Sequence, residues 1–517
     1  MSGTMGRAAL VVSGGILFSR VLGFVREMVL AALLGRTIEA DLYQAAFTIP
    51  DFLFFLMAGG YLTLTFVPIV SRHLAAGEED EANRSFTAIA RVVGGLMLAA
   101  TAVTMIWARP LTERVFSDIP AERLPQLVDL VRIVLPAQFF FVLGSLCTAV
   151  QYAHRKFLIP TLAPIVYNIA IIAGGTISHL LGRTGPQGFV LGALGGAIVG
   201  NFGLQWWGAR RVGLRWQRGT PLRHPAVGEY FALALPLMIG QSAVGLDEVF
   251  FRYFGQFAAS GDIAALNYAR RLQMVPVGVI AQAVGVASYP FLARLFAEGR
   301  LEEMRAQVSQ AVRSGLVVSG LATAGVIALS TPLVAVAYQR GSFDASDTAA
   351  TAPLLAIYGL AIPMWTAHQV YTRAFYAQRR MWLPVVVGTA ITIVALPTYY
   401  FAATSFAAVG VAATSTAVIA AYAIVMGWLW HREGSATEVA RSAGQTLVAA
   451  VPAAAVAWGV ARAVTGGEPP DTSTGIVTLV AGGVLAAGAY WAVLRAMGSP
   501  ELAAISKRWR RQKGSPR

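Results

Sequence analysis

From Ala8 to Leu34 the chain stays apolar for long enough to cross a bilayer as one helix, and similar runs follow almost to its end. Fourteen spans are expected, at about 8–34, 41–71, 86–108, 128–153, 158–181, 186–209, 228–256, 263–293, 308–335, 348–376, 381–404, 407–430, 442–464 and 474–496. Only 13% of residues are charged and mean hydropathy is +0.61, whereas a soluble domain carries about 25% charged residues. The fold class is therefore all-α, a polytopic membrane protein.

The loop charges order these spans. One alternate set of loops carries Arg72, Arg84, Arg155, Lys156, Arg210, Arg211, Arg215, Arg218, Arg223, Arg294, Arg300, Arg379 and Arg380, and the other far fewer basic residues. The basic set belongs in the cytoplasm, with both termini. A net charge of +14 is mostly this asymmetry, which argues against a nucleic-acid partner. Cys147 is the single cysteine and the six histidines are scattered, so neither a disulfide nor a metal site is expected. No paired carboxylates or nucleophile constellation supports an enzyme, and no phosphate-binding loop supports ATP hydrolysis. Transport would draw on the membrane potential, an ion gradient or the substrate's own gradient, with no cofactor.

An internal repeat sets the domain organisation. Pro68, Arg72, Gly77, Arg91 and Pro110 recur 222 residues later as Pro290, Arg294, Gly299, Arg313 and Pro332. Tyr152, Ala153 and Arg155 recur at a spacing of 224 as Tyr376, Ala377 and Arg379. Two copies of a six-helix unit follow, in one orientation because six is even, with any substrate path between them. The expected divisions are an N-lobe at 1–209, a basic linker at 210–227, a C-lobe at 228–430, two further helices within 431–496 and a basic tail at 497–517. Within span 6, Gly192, Gly196 and Gly200 form a small-residue ladder for close helix packing.

Charges inside spans mark the candidate site. Each costs roughly 2.5–3.5 kcal/mol at a bilayer centre, so it faces a cavity or a partner. The first span carries Arg20, Arg26 and Glu27; Asp41 and Asp51 flank the start of the second; Asp247, Glu248 and Arg252 lie in the seventh, and Arg270 and Arg271 open the eighth. Arginines at the start of both halves make a cationic cavity, and guanidinium suits a phosphate or pyrophosphate headgroup. In the alternative, Arg20–Glu27 and Asp247–Arg252 pair only internally.

The segment Ser19-Arg20-Val21-Leu22-Gly23-Phe24-Val25-Arg26-Glu27 resembles the signature of the MurJ (MviN) lipid II flippases of the MOP superfamily. So do Ala46-Phe47-Thr48-Ile49-Pro50-Asp51, Phe66-Val67-Pro68-Ile69, Ala163-Pro164 with Asn168, and Tyr268-Ala269-Arg270-Arg271-Leu272. The resemblance implies two six-helix lobes in a V, with two extra helices forming a lipid-tail groove. It implies a bacterial inner-membrane flippase of the undecaprenyl-pyrophosphate-linked peptidoglycan precursor, a partner of membrane lipids and of the cell-wall synthesis machinery. By position Arg20, Arg26 and Arg271 match the arginines thought to engage pyrophosphate, with Arg270 beside them. Asp41 matches an acidic position; Glu27, Asp247 and Arg252 are supporting groups. Phe54, Phe55 and Gly59 stand where the family often has charged residues, and Arg270 where an aspartate is common. Asp247 matches the acidic residue of a sodium site found in some members, but 381–404 contains no Asn or Asp to complete it. The departures leave open a Wzx-like exporter of another polyprenyl-linked glycan. A MATE-like cation antiporter fits a cationic cavity poorly.

Overall fold

The computed structural model describes the backbone of residues 2–57, 62–432, 434 and 436–502. Side chains are described for all of these except 2–13, 64, 236–248, 282, 283, 286 and 287. Among the described residues every regular element is helical, and nine helices are long and apolar enough to cross a membrane. One of them, Trp382–His431, has 50 residues. Straight, it would be about 75 Å long, against a hydrocarbon core of about 30 Å. It breaks at Ala407, where φ is +50°. Gly410 then presses on the Ala402 carbonyl, where no side chain fits, and the Tyr422 hydroxyl donates to the Pro384 carbonyl. This hairpin supplies the expected spans at both 381–404 and 407–430. The nine helices thus account for ten expected spans; the other four fall on Ser2–Leu34, residues 38–75, Pro225–Gly255 and Asp262–Ala297.

The expected single span at 41–71 is interrupted. It is built from Ile38–Ala46, Thr48–Met57 and Leu62–Ala75. Between Ile38–Ala46 and Thr48–Met57 the Phe47 N–H reaches back to the Gln44 carbonyl at 3.4 Å, a tighter turn than the α-helix. Pro50, three residues on, has no N–H to give.

The repeat recurs as local geometry. Gly77 and Gly299 both turn left-handed, at φ +75° and +72°. Around them Glu78 donates to His73 and Gly77 to Leu74, matched by Arg300 to Leu295 and Gly299 to Phe296. This is one helix-ending motif made twice. Arg155 and Arg379 are both left-handed, at φ +56° and +61°, although neither is glycine. Trp107 and Leu329, 222 residues apart, each bend a long helix into a short one carrying Pro110 or Pro332.

The described chain forms two compact units. The first runs to Gln256 and takes in Ser260–Ala264; the second comprises Phe257–Ala259 and the described residues from Ala265 onward. The boundary therefore lies later than the linker at 210–227. Helix Pro225–Gly255, expected to open the C-lobe at 228, belongs to the first unit. Its Ala226, Tyr230 and Ala234 share one apolar core with Phe66, Phe86 and Leu146. Arg72 adds a bidentate ion pair to Glu229, both bonds at 2.6 Å.

Also in the first unit, Gly192, Gly196 and Gly200 lie against the backbone of Leu158–Leu180, at Ala170, Tyr167 and Ala163. A Cβ on Gly192 would stand 2.3 Å from the Ala170 carbonyl. Gly192→Leu is expected to cost about 3 kcal/mol or more through overpacking, read as a lower midpoint of thermal unfolding in detergent. In the second unit the last two helices, Thr437–Thr465 and Thr472–Ala496, pack on Leu301–Ala328. Ala449, Ala453, Ala457 and Ala461 form a buried stripe that allows the close approach. Arg313, the repeat mate of Arg91, ties this end down through Glu438 at 2.6 Å and Glu501 at 3.5 Å.

Candidate substrate site

The first helix, Ser2–Leu34, packs along Leu158–Leu180. Gly23 leaves room there for the Asn168 side chain. Arg26 uses that opening: it donates to Asn168 Oδ1 at 3.1 Å and to Glu27 Oε1 at 2.5 Å. Its remaining donor, Nε, is buried with no partner among the described residues. Glu27 is only 2% exposed. Glu27, which the alternative reading pairs with Arg20, is bound by Arg26. Arg20 itself is exposed.

A second ion pair belongs to the same unit. Arg252 donates to Asp51 Oδ2 at 2.7 Å, joining Pro225–Gly255 to Thr48–Met57. Asp247, which the alternative reading pairs with Arg252, has its side chain outside the described residues. The carboxylate 201 positions away takes the bond because the two helices pack side by side. Tyr167 precedes Asn168 on Leu158–Leu180. Phe141 packs edge-on against Tyr167 at 5.4 Å and against Phe54 at 6.0 Å, with Phe55 next to Phe54. The departures at Phe54 and Phe55 therefore form an aromatic wall beside two buried ion pairs; Gly59 lies outside the described residues. Tyr167 was missed from sequence, because a tyrosine in an apolar span carries no distinguishing pattern. The one signal was its neighbour Asn168, a polar residue four positions after Pro164 in an apolar run.

Asp41 serves the backbone. It is 3% exposed and accepts from the Gly261 N–H at 2.5 Å and the Ala264 N–H at 2.8 Å, at the start of helix Asp262–Ala297. Arg36 pairs with Asp262 at 3.1 Å beside it. A Cβ on Gly261, at φ +89°, would meet the Arg36 carbonyl at 2.3 Å. Asp41 is thus a remote helix cap and not a cavity ligand. Asp41→Ala is expected to cost about 1–2 kcal/mol, with Asp41→Asn recovering part because it keeps an acceptor; thermal unfolding of the purified variants checks it. Arg270 and Arg271 lie in the second unit, on Asp262–Ala297, both half-buried.

A repeated, all-helical, multi-pass fold with ion pairs buried between its helices defines a membrane transporter rather than an enzyme. Residues 30–467 match the family model for the lipid II flippase MurJ, and the chain belongs to that family. It is 29% identical to a probable lipid II flippase MurJ of Rhizobium tropici, over 75% of each chain. It is 27% identical to the lipid II flippase MurJ of Burkholderia cenocepacia, over 76% of this chain and 78% of that one. Among solved structures it resembles a lipid II flippase MurJ in an inward closed conformation, with a TM-score of 0.78 at 19% identity, covering 94% of this chain and 99% of that one. An inward-facing MATE-family multidrug transporter of the MOP superfamily gives 0.66 at 17% identity, over 82% and 97%.

Proposed function

We propose that this chain carries lipid II, the undecaprenyl-pyrophosphate-linked peptidoglycan precursor, from the inner to the outer leaflet of a bacterial cytoplasmic membrane by alternating access. The observation that carries the reading is the family match over residues 30–467. Arg26 supports it with chemistry: a partly exposed guanidinium inside a span, held in place by Asn168 and Glu27, keeps its charge and suits a dehydrated phosphate better than it suits lipid. Arg20 and Arg26 supply the first unit's share of the pyrophosphate contacts, and Arg271, with Arg270, the second's. The membrane potential or an ion gradient drives the cycle. Depletion of the protein in its host, followed by analysis of lipid-linked precursors, tests the substrate. Accumulation of lipid II supports the reading; accumulation of a different polyprenyl-linked glycan, with lipid II unchanged, refutes it.

Both termini face the cytoplasm in this reading, and the segment between Ile106 and Leu124 faces outward. Reporter fusions at Pro120 and Gly514 are expected to give opposite signals. A cytoplasmic signal at Pro120 would overturn the orientation.

A further inference from the structure

The first unit holds a second lipid-compatible site that the transport reading does not use. An apolar cleft of about 350 Å³ is walled by Phe86, Leu98, Phe139, Phe202, Trp206 and Trp216. Gly95 and Leu98, both exposed, mark its open side. Trp206 and Trp216 also wall an adjoining cavity of about 810 Å³, whose other lining includes Arg210, Arg211, Arg215 and Arg218. Among the described residues, no acidic residue lines either space.

These four arginines are exposed, and among the described residues none of their guanidinium groups has a carboxylate partner. Arg210 and Arg211 rest instead on the rings of Trp206 and Trp207, at 5.7 and 4.0 Å. Arg91 fixes the wall: it donates to the Thr220 carbonyl at 2.8 Å and the Arg218 carbonyl at 2.9 Å, and lies 5.5 Å over Trp216. The expected role of this basic segment was orientation alone. Orientation needs charge on the loop, but it does not need an apolar cleft opening into that charge.

We infer that this composite pocket binds one anionic phospholipid, with part of an acyl chain in the cleft and the phosphate among Arg210, Arg211, Arg215 and Arg218. Guanidinium groups take phosphate oxygens in pairs. Tryptophan suits the boundary between headgroup and chain. A choline headgroup would place a second cation among four arginines, so the pocket selects anionic over zwitterionic lipid. A soluble phosphate would leave the apolar half unfilled. The inference needs only a membrane protein and stands apart from the lipid II reading.

Native mass spectrometry of the purified full-length chain, supplied with equal phosphatidylglycerol and phosphatidylcholine, tests it. One phosphatidylglycerol should be retained with at least about tenfold preference. Replacing all four arginines by glutamine should bring that preference close to unity. Gly95→Phe leaves every charge in place, and its Cβ meets nothing within 4 Å; its ring should fill the cleft and lower retention by about tenfold. Soluble glycerol 3-phosphate should not compete. Unchanged retention in Gly95→Phe, beside loss in the arginine variant, would reduce the site to diffuse surface charge and overturn the inference. So would displacement of the lipid by glycerol 3-phosphate, or one-for-one displacement by undecaprenyl pyrophosphate.

Discussion

Asp51→Ala is expected to remove most of the folded protein from the membrane fraction. Its partner Arg252 is 4% exposed, and the two meet at 2.7 Å. Deleting one member of a buried pair leaves an uncompensated charge, at a cost of about 3–5 kcal/mol. Whole domains are stable by only about 5–15 kcal/mol, so that cost is a large share of the total. Arg252 Nε is already buried without a partner among the described residues, so the guanidinium has little other compensation to fall back on. Removing both charges with Asp51→Ala and Arg252→Met should restore abundance, because the cost lies in the orphaned ion and not in the lost attraction. Membrane abundance and thermal unfolding of the two single variants and the double variant check this. Equal loss in all three would show that the residues matter individually and not as a pair.

Arg26→Ala is expected to abolish complementation of a flippase-depleted cell even when expression is raised so that its membrane abundance matches that of the unaltered chain. A charge-assisted bond contributes roughly 1.5–3 kcal/mol, so losing even one in the transport cycle slows it about tenfold to a hundredfold. Lysine keeps the charge but loses the planar fork that now serves Asn168 and Glu27 together. Arg26→Lys should therefore support partial growth. Glu27→Gln separates two roles for the neighbouring carboxylate. If Glu27 only holds Arg26 in place, the glutamine variant should retain most transport, since its side-chain oxygen can still accept from Arg26.

Much of this fold was legible in the sequence. Apolar length alone marked the hairpin in Trp382–His431 as two expected spans, because no single helix of that length fits a bilayer. The repeat was legible because turn residues are fixed by backbone geometry: Gly77 and Gly299 stand where φ must be positive. The partners of the charges were less legible. Asp247 lies five positions from Arg252, which makes it the natural candidate along the chain. Helix packing brought Asp51 to Arg252, a partnership that local spacing does not encode. Asp41 matched an acidic family position, and nothing in its local sequence shows that it caps a helix beginning more than two hundred residues later. The arginines of 210–218 were absorbed by the orientation rule, and only the cleft beside them gives them a second reading.

The central claim is that this chain moves lipid II outward and that arginines carry the headgroup. Its most direct test is the exposure of lipid II at the outer leaflet of flippase-depleted cells, measured with an externally added enzyme that cleaves the headgroup and cannot enter the cell. Cells supplied with this chain should show lipid II cleavage, and cells supplied with the Arg26→Ala variant at equal abundance should not. Undiminished cleavage with Arg26→Ala, or none with the unaltered chain at normal abundance, would contradict the account.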